Sequence, residues 1–309
     1  MARAVTTFVL PEPARALLAP LGLAGPEAWR AHLAEAEALL CLLTDRVDAA
    51  LLERAPRLRV VANAVVGYEH VDLAACRARG IVVTNTPDVL TDATADLAWA
   101  LILSVVRGLP RAEHSLRAGY FHGWGFHDYL GGDLSGRTLG IYGMGRIGRA
   151  VARRAAPFGM HVIYHSRTRQ SPDNEARLGA EWVDFDALIA RSDVLSLHAP
   201  LTPQTRHAIS ADVLRRMRPG SFLVNTARGA LVDEAALAEA LREGPLAGAG
   251  LDVYEREPDV ASALLELPNV VLLPHIGSAT HETRTRMAML AARNAHAVLT
   301  GSLPLTPVS

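Results

Sequence analysis

The chain alternates between short apolar runs and longer stretches in which apolar residues recur every three or four positions. In the first third, runs at Ala4–Val9, Ala38–Leu43, Arg59–Val65 and Ile81–Thr84 have the length and make-up of strands. The gaps hold helical patterns at Glu27–Ala36, Ala49–Arg54 and Val71–Arg79. That beat predicts a parallel sheet with helices on both faces. It resumes after a break, with strands predicted at Leu139–Tyr142, His161–His165, Val194–His198, Ser221–Thr226, Gly248–Val253 and Val270–Leu273. Two stretches stand apart. Asp92–Arg107 is apolar nearly all round, which predicts a helix buried between two domains. Thr280–Leu299 is a long helical pattern expected to return to the first domain. The fold class that follows is α/β, two doubly wound parallel-sheet (Rossmann-like) domains with an interdomain cleft. The expected division is 1–97 plus 282–309 for one discontinuous domain and 98–281 for the other.

The second run of strands opens on LGIYGMGRIGRAVARRAA, Leu139 to Ala156. An apolar run meets Gly143, Gly145 and Gly148, and a helical pattern follows with Ile147, Val151 and Ala155 on one face. Strand, tight turn and helix are the context in which G-x-G-x-x-G binds a dinucleotide. Gly143 takes the backbone angles of the turn, Gly145 leaves room for a pyrophosphate, and Gly148 lets helix and strand approach. The helix N-terminus then offers N–H groups to the phosphates. Residues 98–281 are therefore expected to be a dinucleotide-binding domain, and 1–97 plus 282–309 a substrate (catalytic) domain.

Composition changes this picture little. The 309 residues carry 31 basic and 32 acidic side chains, so no charge excess points to nucleic acid or an anionic membrane. Every basic residue is arginine. Cys41 and Cys76, the only cysteines, sit in apolar surroundings and read as core thiols of a reducing compartment. The N-terminal apolar run is too short for a signal peptide, and the longest one, near Leu97–Val106, is about half of the roughly 20 residues that span a bilayer. A cytoplasmic protein is expected. Tyr120, Phe121, Trp124, Phe126 and Tyr129 crowd the glycine-rich connection between Arg107 and Gly136. They read as a local cluster or, more favourably, a subunit contact.

Three strand ends in succession carry residues suited to chemistry. Arg228 follows SFLVNTA, Glu257 follows the strand of AGLDVYERE, and His275 follows VVLLP. Singly, each has an ordinary explanation as a solvated charge or a satisfied polar group. Together, at the ends where open parallel sheets bind ligands, they suit carbonyl reduction. Hydride delivered to a carbonyl carbon leaves charge on oxygen, which a histidine held by a carboxylate can protonate. Arginine can clamp a substrate carboxylate with paired hydrogen bonds.

These residues lie in motifs through which the sequence resembles the D-isomer-specific 2-hydroxyacid dehydrogenases over essentially its whole length. The motifs are NAVVGYEHVD, GIVVTNTPDVLTDATADLAWAL, LGIYGMGRIG, SDVLSLHAPLTPQTRHAI, LVNTARGALVDEAAL, GLDVYEREP and LLPHIGSAT. The resemblance implies that Arg228 binds substrate, that Glu257 partners the histidine, and that His275 is the acid/base. It implies further that Asp252 contacts the nicotinamide carboxamide and that the amides of Val66 and Gly67 hold the substrate carboxylate. The cofactor residues it points to are Thr94, Gly143, Met144, Gly145, Arg146, Ile147, Gly148, Ser166, Arg167, Thr168, Pro200, Thr205, Thr226, Ala227 and Asp252. No metal site is expected.

Departures narrow the subfamily. Formate dehydrogenases resemble the pattern but pair the histidine with glutamine, whereas Glu257 stands here. Phosphite dehydrogenases have lysine where Val66 stands, and 309 residues leave no room for the regulatory domain that phosphoglycerate dehydrogenases often carry. The nearest resemblance is to glyoxylate/hydroxypyruvate reductases, whose tryptophan reaching the neighbouring subunit's substrate site matches Trp124. A homodimer is implied. Phe126 stands where many relatives have proline, which leaves the course of that loop open.

Cofactor choice is read after the second strand of the nucleotide fold, where NAD enzymes place a carboxylate for the ribose hydroxyls. HVIYHSRTR offers Ser166, followed by Arg167 and Arg169. NADP(H) is favoured, with NAD(H) and two solvated arginines as the alternative. The expected reaction is reduction of a small 2-keto acid, glyoxylate or hydroxypyruvate, to the D-2-hydroxy acid. The rivals are a broader 2-ketoacid reductase or D-lactate dehydrogenase, and a non-enzymatic NAD(H)-sensing co-repressor.

Overall fold

The computed structural model describes residues 3–308. The chain forms two compact units, one running up to Leu90 and again from Ser278, the other Thr91–Gly277.

In the first unit, strands β1 (Ala4–Thr6), β2 (Leu23–Ala24), β3 (Ala38–Cys41), β4 (Val60–Asn63) and β5 (Val82–Thr84) form a parallel sheet in the order β2-β1-β3-β4-β5. Successive side chains point to opposite faces, and both faces are covered. Ala38 and Leu40 join Ala4, Val60 and Ala62 in one core cluster, while Leu39 and Cys41 join Val5, Val61 and Val83 in the other. That is why these strands read as unbroken apolar runs rather than as alternation. Helix His281–Leu299 closes the first cluster. Its Ala288, Ala291, Ala292 and Ala295 are buried, and these small side chains let it pack on β3, β4 and helix Glu12–Leu18. Thr280 caps it by accepting from the Thr283 amide at 3.1 Å. Cys41 and Cys76 are free and buried in the second cluster.

The second unit carries β6 (Thr138–Tyr142), β7 (His161–His165), β8 (Ala180–Trp182), β9 (Val194–Leu197), β10 (Ser221–Asn225), β11 (Leu246–Leu251) and β12 (Val270–Leu272). All pairs are parallel, in the order β12-β11-β10-β9-β6-β7-β8. Chain direction across the sheet reverses at β6 and β9, the switch point beyond whose carboxyl ends such sheets bind ligands.

Helix Thr91–Val106 corrects one expectation. It belongs wholly to the second unit, packing on β10, β11 and helix Arg146–Arg153 through buried Ala98, Leu101, Ile102 and Val105. Trp99 Nε1 donates to the Val151 carbonyl at 3.0 Å. Asp92, Asp96 and Ala100, four residues apart, form an exposed stripe, so the helix is one-sided rather than apolar all round. Because it packs as one piece, the units divide at Leu90/Thr91 and Gly277/Ser278 instead of at 97/98 and 281/282. Strands β2 and β8 and helices Glu12–Leu18 and Leu109–Arg117 carry too little apolar pattern to have been read from sequence, and the predicted helix Glu27–Ala36 contracts to Trp29–His32. Among the described residues, no single helix is long and apolar enough to cross a membrane.

Candidate active site

Three loops leaving the carboxyl ends of β10, β11 and β12 build the chemical part of the site. After β12 the chain turns at His275, which sits in the left-handed region at φ 55°. A side chain there is strained, by about 1–3 kcal/mol. The turn is held by Asp252, fully buried just after β11, whose Oδ1 accepts from the Ile276 amide and Oδ2 from the Gly277 amide, both at 2.7 Å. Thr94 adds a hydrogen bond from Oγ1 to the Gly277 carbonyl at 3.1 Å. Burial pushes the Asp252 carboxyl upward, against the pull of those two amides and the charge of His275.

So fixed, His275 places Nδ1 at 2.7 Å from Glu257 Oε2. A carboxylate only accepts, so Nδ1 carries the proton and donates, and Nε2 is the ring nitrogen not engaged by Glu257. Glu257 Oε1 accepts from the Tyr254 amide at 3.0 Å. Burial works against the charged carboxylate. The His275 hydrogen bond, the Tyr254 amide and the charges of His275 and Arg228 outweigh it, holding Glu257 below its usual range. The loop itself is pinned by the Tyr254 hydroxyl, which donates to the Leu273 carbonyl at 2.8 Å, and by buried Glu234, which accepts from the Glu255 amide at 2.6 Å.

Arg228 follows β10, where buried Asn225 shapes the turn. Asn225 Oδ1 accepts from the Ala227 amide at 3.0 Å and its Nδ2 donates to the Arg228 carbonyl at 2.9 Å. A Cβ on Gly229 would lie 1.8 Å from the Tyr254 carbonyl carbon, so this turn and the Glu257 loop are packed backbone to backbone. Arg228, Glu257 and His275 are thus brought together.

The glycine loop fits a dinucleotide. Gly143 has φ 101°, and a Cβ there would meet the Ala199 nitrogen at 2.6 Å. A Cβ on Gly148 would lie 2.2 Å from the Gly143 carbonyl oxygen. Gly145, by contrast, faces open space and caps helix Arg146–Arg153 without a side-chain cap hydrogen bond of its own. Met144 is buried and Ile147 half-buried against the core. Beyond β9, the Thr205 hydroxyl donates to the Pro200 carbonyl at 2.7 Å. Beyond β10, the Thr226 hydroxyl is buried without a protein partner, beside Ala227. An uncapped helix start, clear space at Gly145 and an orphaned hydroxyl are what a bound nicotinamide dinucleotide would complete.

At the end of β7, Ser166 Oγ donates to the Thr168 carbonyl at 2.7 Å. The two arginines differ. Arg169 is committed to Glu175 through two bonds of 2.8 Å and lies over Trp182, which leaves it unavailable as a second phosphate donor beside Arg167. Arg169 and then the Tyr164 hydroxyl hold Glu175 down to about 2. Arg167 is exposed, and among the described residues its guanidinium has no hydrogen-bond or ion-pair partner. Gln170 ties this turn to the glycine loop, its Nε2 donating to the Met144 carbonyl at 3.1 Å.

In the first unit Val66 and Gly67 lie just past β4, their carbonyls held by the side chains of Asn85 and Asn63. Trp124, in the second unit, is 83% exposed and touches Phe126 edge to face at 6.2 Å, so the aromatic loop does not bury itself as a local cluster. The sequence reading missed the asparagines. Its available signal was that the apolar runs VVAN, VVTN and SFLVN each close on Asn.

Comparison with known proteins places this geometry in a family. Residues 99–277 match the model of the NAD-binding domain of D-isomer-specific 2-hydroxyacid dehydrogenases. A glyoxylate reductase from Thermococcus litoralis is 53% identical over 274 residues, 87% of this chain and 82% of that protein. The crystal structure of a glyoxylate reductase from Paecilomyes thermophila superposes with a TM-score of 0.89 at 37% identity, covering 99% of this chain and 98% of that one. An NADPH-dependent glyoxylate/hydroxypyruvate reductase from Sinorhizobium meliloti, in complex with NADP and malonate, does so at 0.88 and 39%, covering 100% and 97%. The chain belongs to the D-isomer-specific 2-hydroxyacid dehydrogenase family. It is an NAD(P)-dependent dehydrogenase.

The Glu257–His275 pair has a measurable consequence. The carboxylate sets the tautomer and the orientation of the ring through Nδ1. In Glu257→Ala that anchor is gone, so kcat for reduction should fall about tenfold, the loss of one hydrogen bond to a charged group, with the cofactor dissociation constant unchanged. An unchanged kcat would exclude Glu257 from positioning the histidine.

Proposed function

We propose that the enzyme reduces glyoxylate, and also hydroxypyruvate, to the corresponding 2-hydroxy acid, with NADPH preferred over NADH. The observation that carries this is His275, tied at Nδ1 to Glu257 with Arg228 beside the same carboxylate. The names of the relatives, glyoxylate reductases at about half identity, point the substrate the same way.

When bound, the nicotinamide supplies the hydride. His275 donates its Nε2 proton to the carbonyl oxygen as charge develops there, and Glu257 steadies the imidazolium. Arg228 takes the substrate carboxylate and polarises the carbonyl, with the free amides of Val66 and Gly67 as further carboxylate donors. Asp252 keeps lone pairs for the nicotinamide carboxamide while holding the His275 turn. The pyrophosphate is assigned to the glycine loop Gly143–Gly148, through the amides that follow Gly143, whose own amide donates to the His165 carbonyl at 2.8 Å, and the nucleoside to Ser166, Arg167 and Thr168. Thr94, Pro200, Thr205, Thr226 and Ala227 complete the cofactor set. Trp124 is assigned to a homodimer contact that reaches the partner's substrate site, and the cytoplasm is the expected compartment.

The direct test is a panel of 2-keto acids assayed with both cofactors. Glyoxylate and hydroxypyruvate should give the highest kcat/KM, and His275→Ala should lower kcat about 10²–10⁴-fold with cofactor affinity unchanged. Pyruvate turning over better than glyoxylate would instead make the enzyme a D-lactate dehydrogenase.

Cofactor preference is tested at Arg167. NADH lacks the 2′-phosphate, so removing the guanidinium weakens NADPH alone. Hydrogen bonds to charged groups contribute about 1.5–3 kcal/mol, so Arg167→Ala should cut the NADPH/NADH ratio of kcat/KM roughly ten- to hundredfold. Ser166→Asp should reverse the preference by repelling the phosphate and accepting from free ribose hydroxyls. A wild type that already prefers NADH would refute the assignment.

The subunit assignment is tested by sedimentation. The wild type should run as a dimer, and Trp124→Ala should loosen it or change keto-acid preference. A fully active monomer would contradict it.

A further inference from the structure

Just past β4 the carbonyls of Val65, Val66 and Gly67 are all held by hydrogen bonds, whereas among the described residues the N–H groups of Val66 and Gly67 are not. Val65 O accepts from the Thr86 amide at 3.1 Å and from Asn63 Nδ2 at 3.3 Å. Val66 O accepts from Asn85 Nδ2 at 2.8 Å, and Gly67 O from Asn63 Nδ2 at 2.6 Å. Among the described residues no acceptor meets the N–H of Val66 or Gly67.

A trans peptide is planar, with its C=O and N–H pointing in opposite directions. The Gly67 N–H shares its peptide with Val66 O, so the Asn85 bond to that oxygen aims that amide. Asn85 is aimed in turn by a distant part of the chain. Its amide donates to Thr306 O at 3.2 Å, and Thr306 Oγ1 donates to Asn85 O at 2.6 Å. Thr306 is fixed by Asn294, fully buried on helix His281–Leu299. Asn294 Oδ1 accepts from the Leu305 and Thr306 amides at 2.8 and 3.1 Å, and Nδ2 donates to Thr306 Oγ1 at 2.8 Å. Pro307 bridges antiparallel to Thr84, and the Val308 amide donates to Val83 O at 2.8 Å.

We propose that the segment Leu305–Val308 is a strap that sets the carboxylate-binding loop, with Asn294, Thr306 and Asn85 as positioning residues for the amides of Val66 and Gly67. The inference rests on reading those amides as donors to the substrate carboxylate. Covering the open edge of β5 would need only the backbone pairing of Pro307 and Val308. The strap goes further, committing three hydrogen bonds of a buried asparagine to Leu305 and to Thr306, the residue that holds Asn85. If the Val66–Gly67 peptide turned over, its carbonyl oxygen would face the substrate carboxylate and repel it.

Thr306→Val keeps the side-chain shape and removes the hydroxyl between Asn294 and Asn85. Thr306→Ser restores it, and Asn85→Ala removes the last link directly. Glyoxylate KM should rise about three- to tenfold in Thr306→Val and Asn85→Ala, the loss of one neutral hydrogen bond's contribution. The kcat and the NADPH dissociation constant should stay near wild type, and the Ser variant should match wild type throughout. Amide hydrogen exchange over Asn85 and Thr86 should quicken in the Val variant, reporting the loosened loop. Unchanged exchange would overturn the strap. Faster exchange with unchanged KM would overturn the carboxylate reading of Val66 and Gly67 while leaving the hydrogen-bond chain intact. A parallel loss of kcat, KM and Tm in the Val and Ser variants alike would make the segment a mere edge cover and sink the proposal.

Discussion

The chemistry depends on one buried carboxylate. Asp252 stands where desolvation disfavours charge, and His275 stands in a backbone region that a side chain avoids. Each is unfavourable alone. Joined, they offset one another, because the left-handed turn presents the consecutive amides of Ile276 and Gly277 to the two oxygens of a single carboxylate. A neutral apolar residue in place of Asp252 would leave two buried donors unmet, which costs more than the strain it would spare. The orientation of the histidine ring, and through it the pairing with Glu257, follows from that exchange.

The same economy recurs with asparagine where the chain must turn rather than carry charge. An amide side chain both donates and accepts, so it can hold a carbonyl and an N–H of one loop at once. Asn225 does this for the turn bearing Arg228, Asn63 and Asn85 hold the loop of Val66 and Gly67, and Asn294 holds the segment beyond the last helix. Sheet topology brings strand ends together, but it leaves their loops free. Asparagine and aspartate at the ends of β4, β10 and β11 supply the missing constraint.

Periodicity exposed most of the strands because both sheets are covered on both faces, which makes each strand an apolar run bounded by turns. Residues with chemical side chains at strand ends were legible for the same reason. What stayed hidden was whatever lacks an apolar signature: the two-residue β2, the polar helix Leu109–Arg117, and the hydrogen bonds of buried asparagines. The boundary between the units was misplaced within Thr91–Val106 because a continuous apolar helix carries no signal of where one unit gives way to the next; its polar Asp92 and Asp96 mark an exposed side and not an end.

Charge bookkeeping at the end of β7 shows why residue type alone misjudges a ligand site. Two arginines within three positions look like a doubled phosphate clamp. Glu175 cancels one of them, and in doing so it fastens Arg169 over Trp182 and draws in the Tyr164 hydroxyl, which also accepts from the Gln170 amide. Arg169 therefore stiffens the turn, while Gln170 ties that turn to the carbonyl of Met144 in the glycine loop. The turn after β7 and the glycine loop are mechanically joined. On the proposed reading, the guanidinium of this turn that stays available to a 2′-phosphate is that of Arg167, exposed and screened by solvent. One solvated guanidinium on a rigid turn would favour one cofactor over the other by degree. Ser166 neither repels a phosphate nor binds a free ribose as a carboxylate would, so the proposal is one of preference and not of exclusion of NADH.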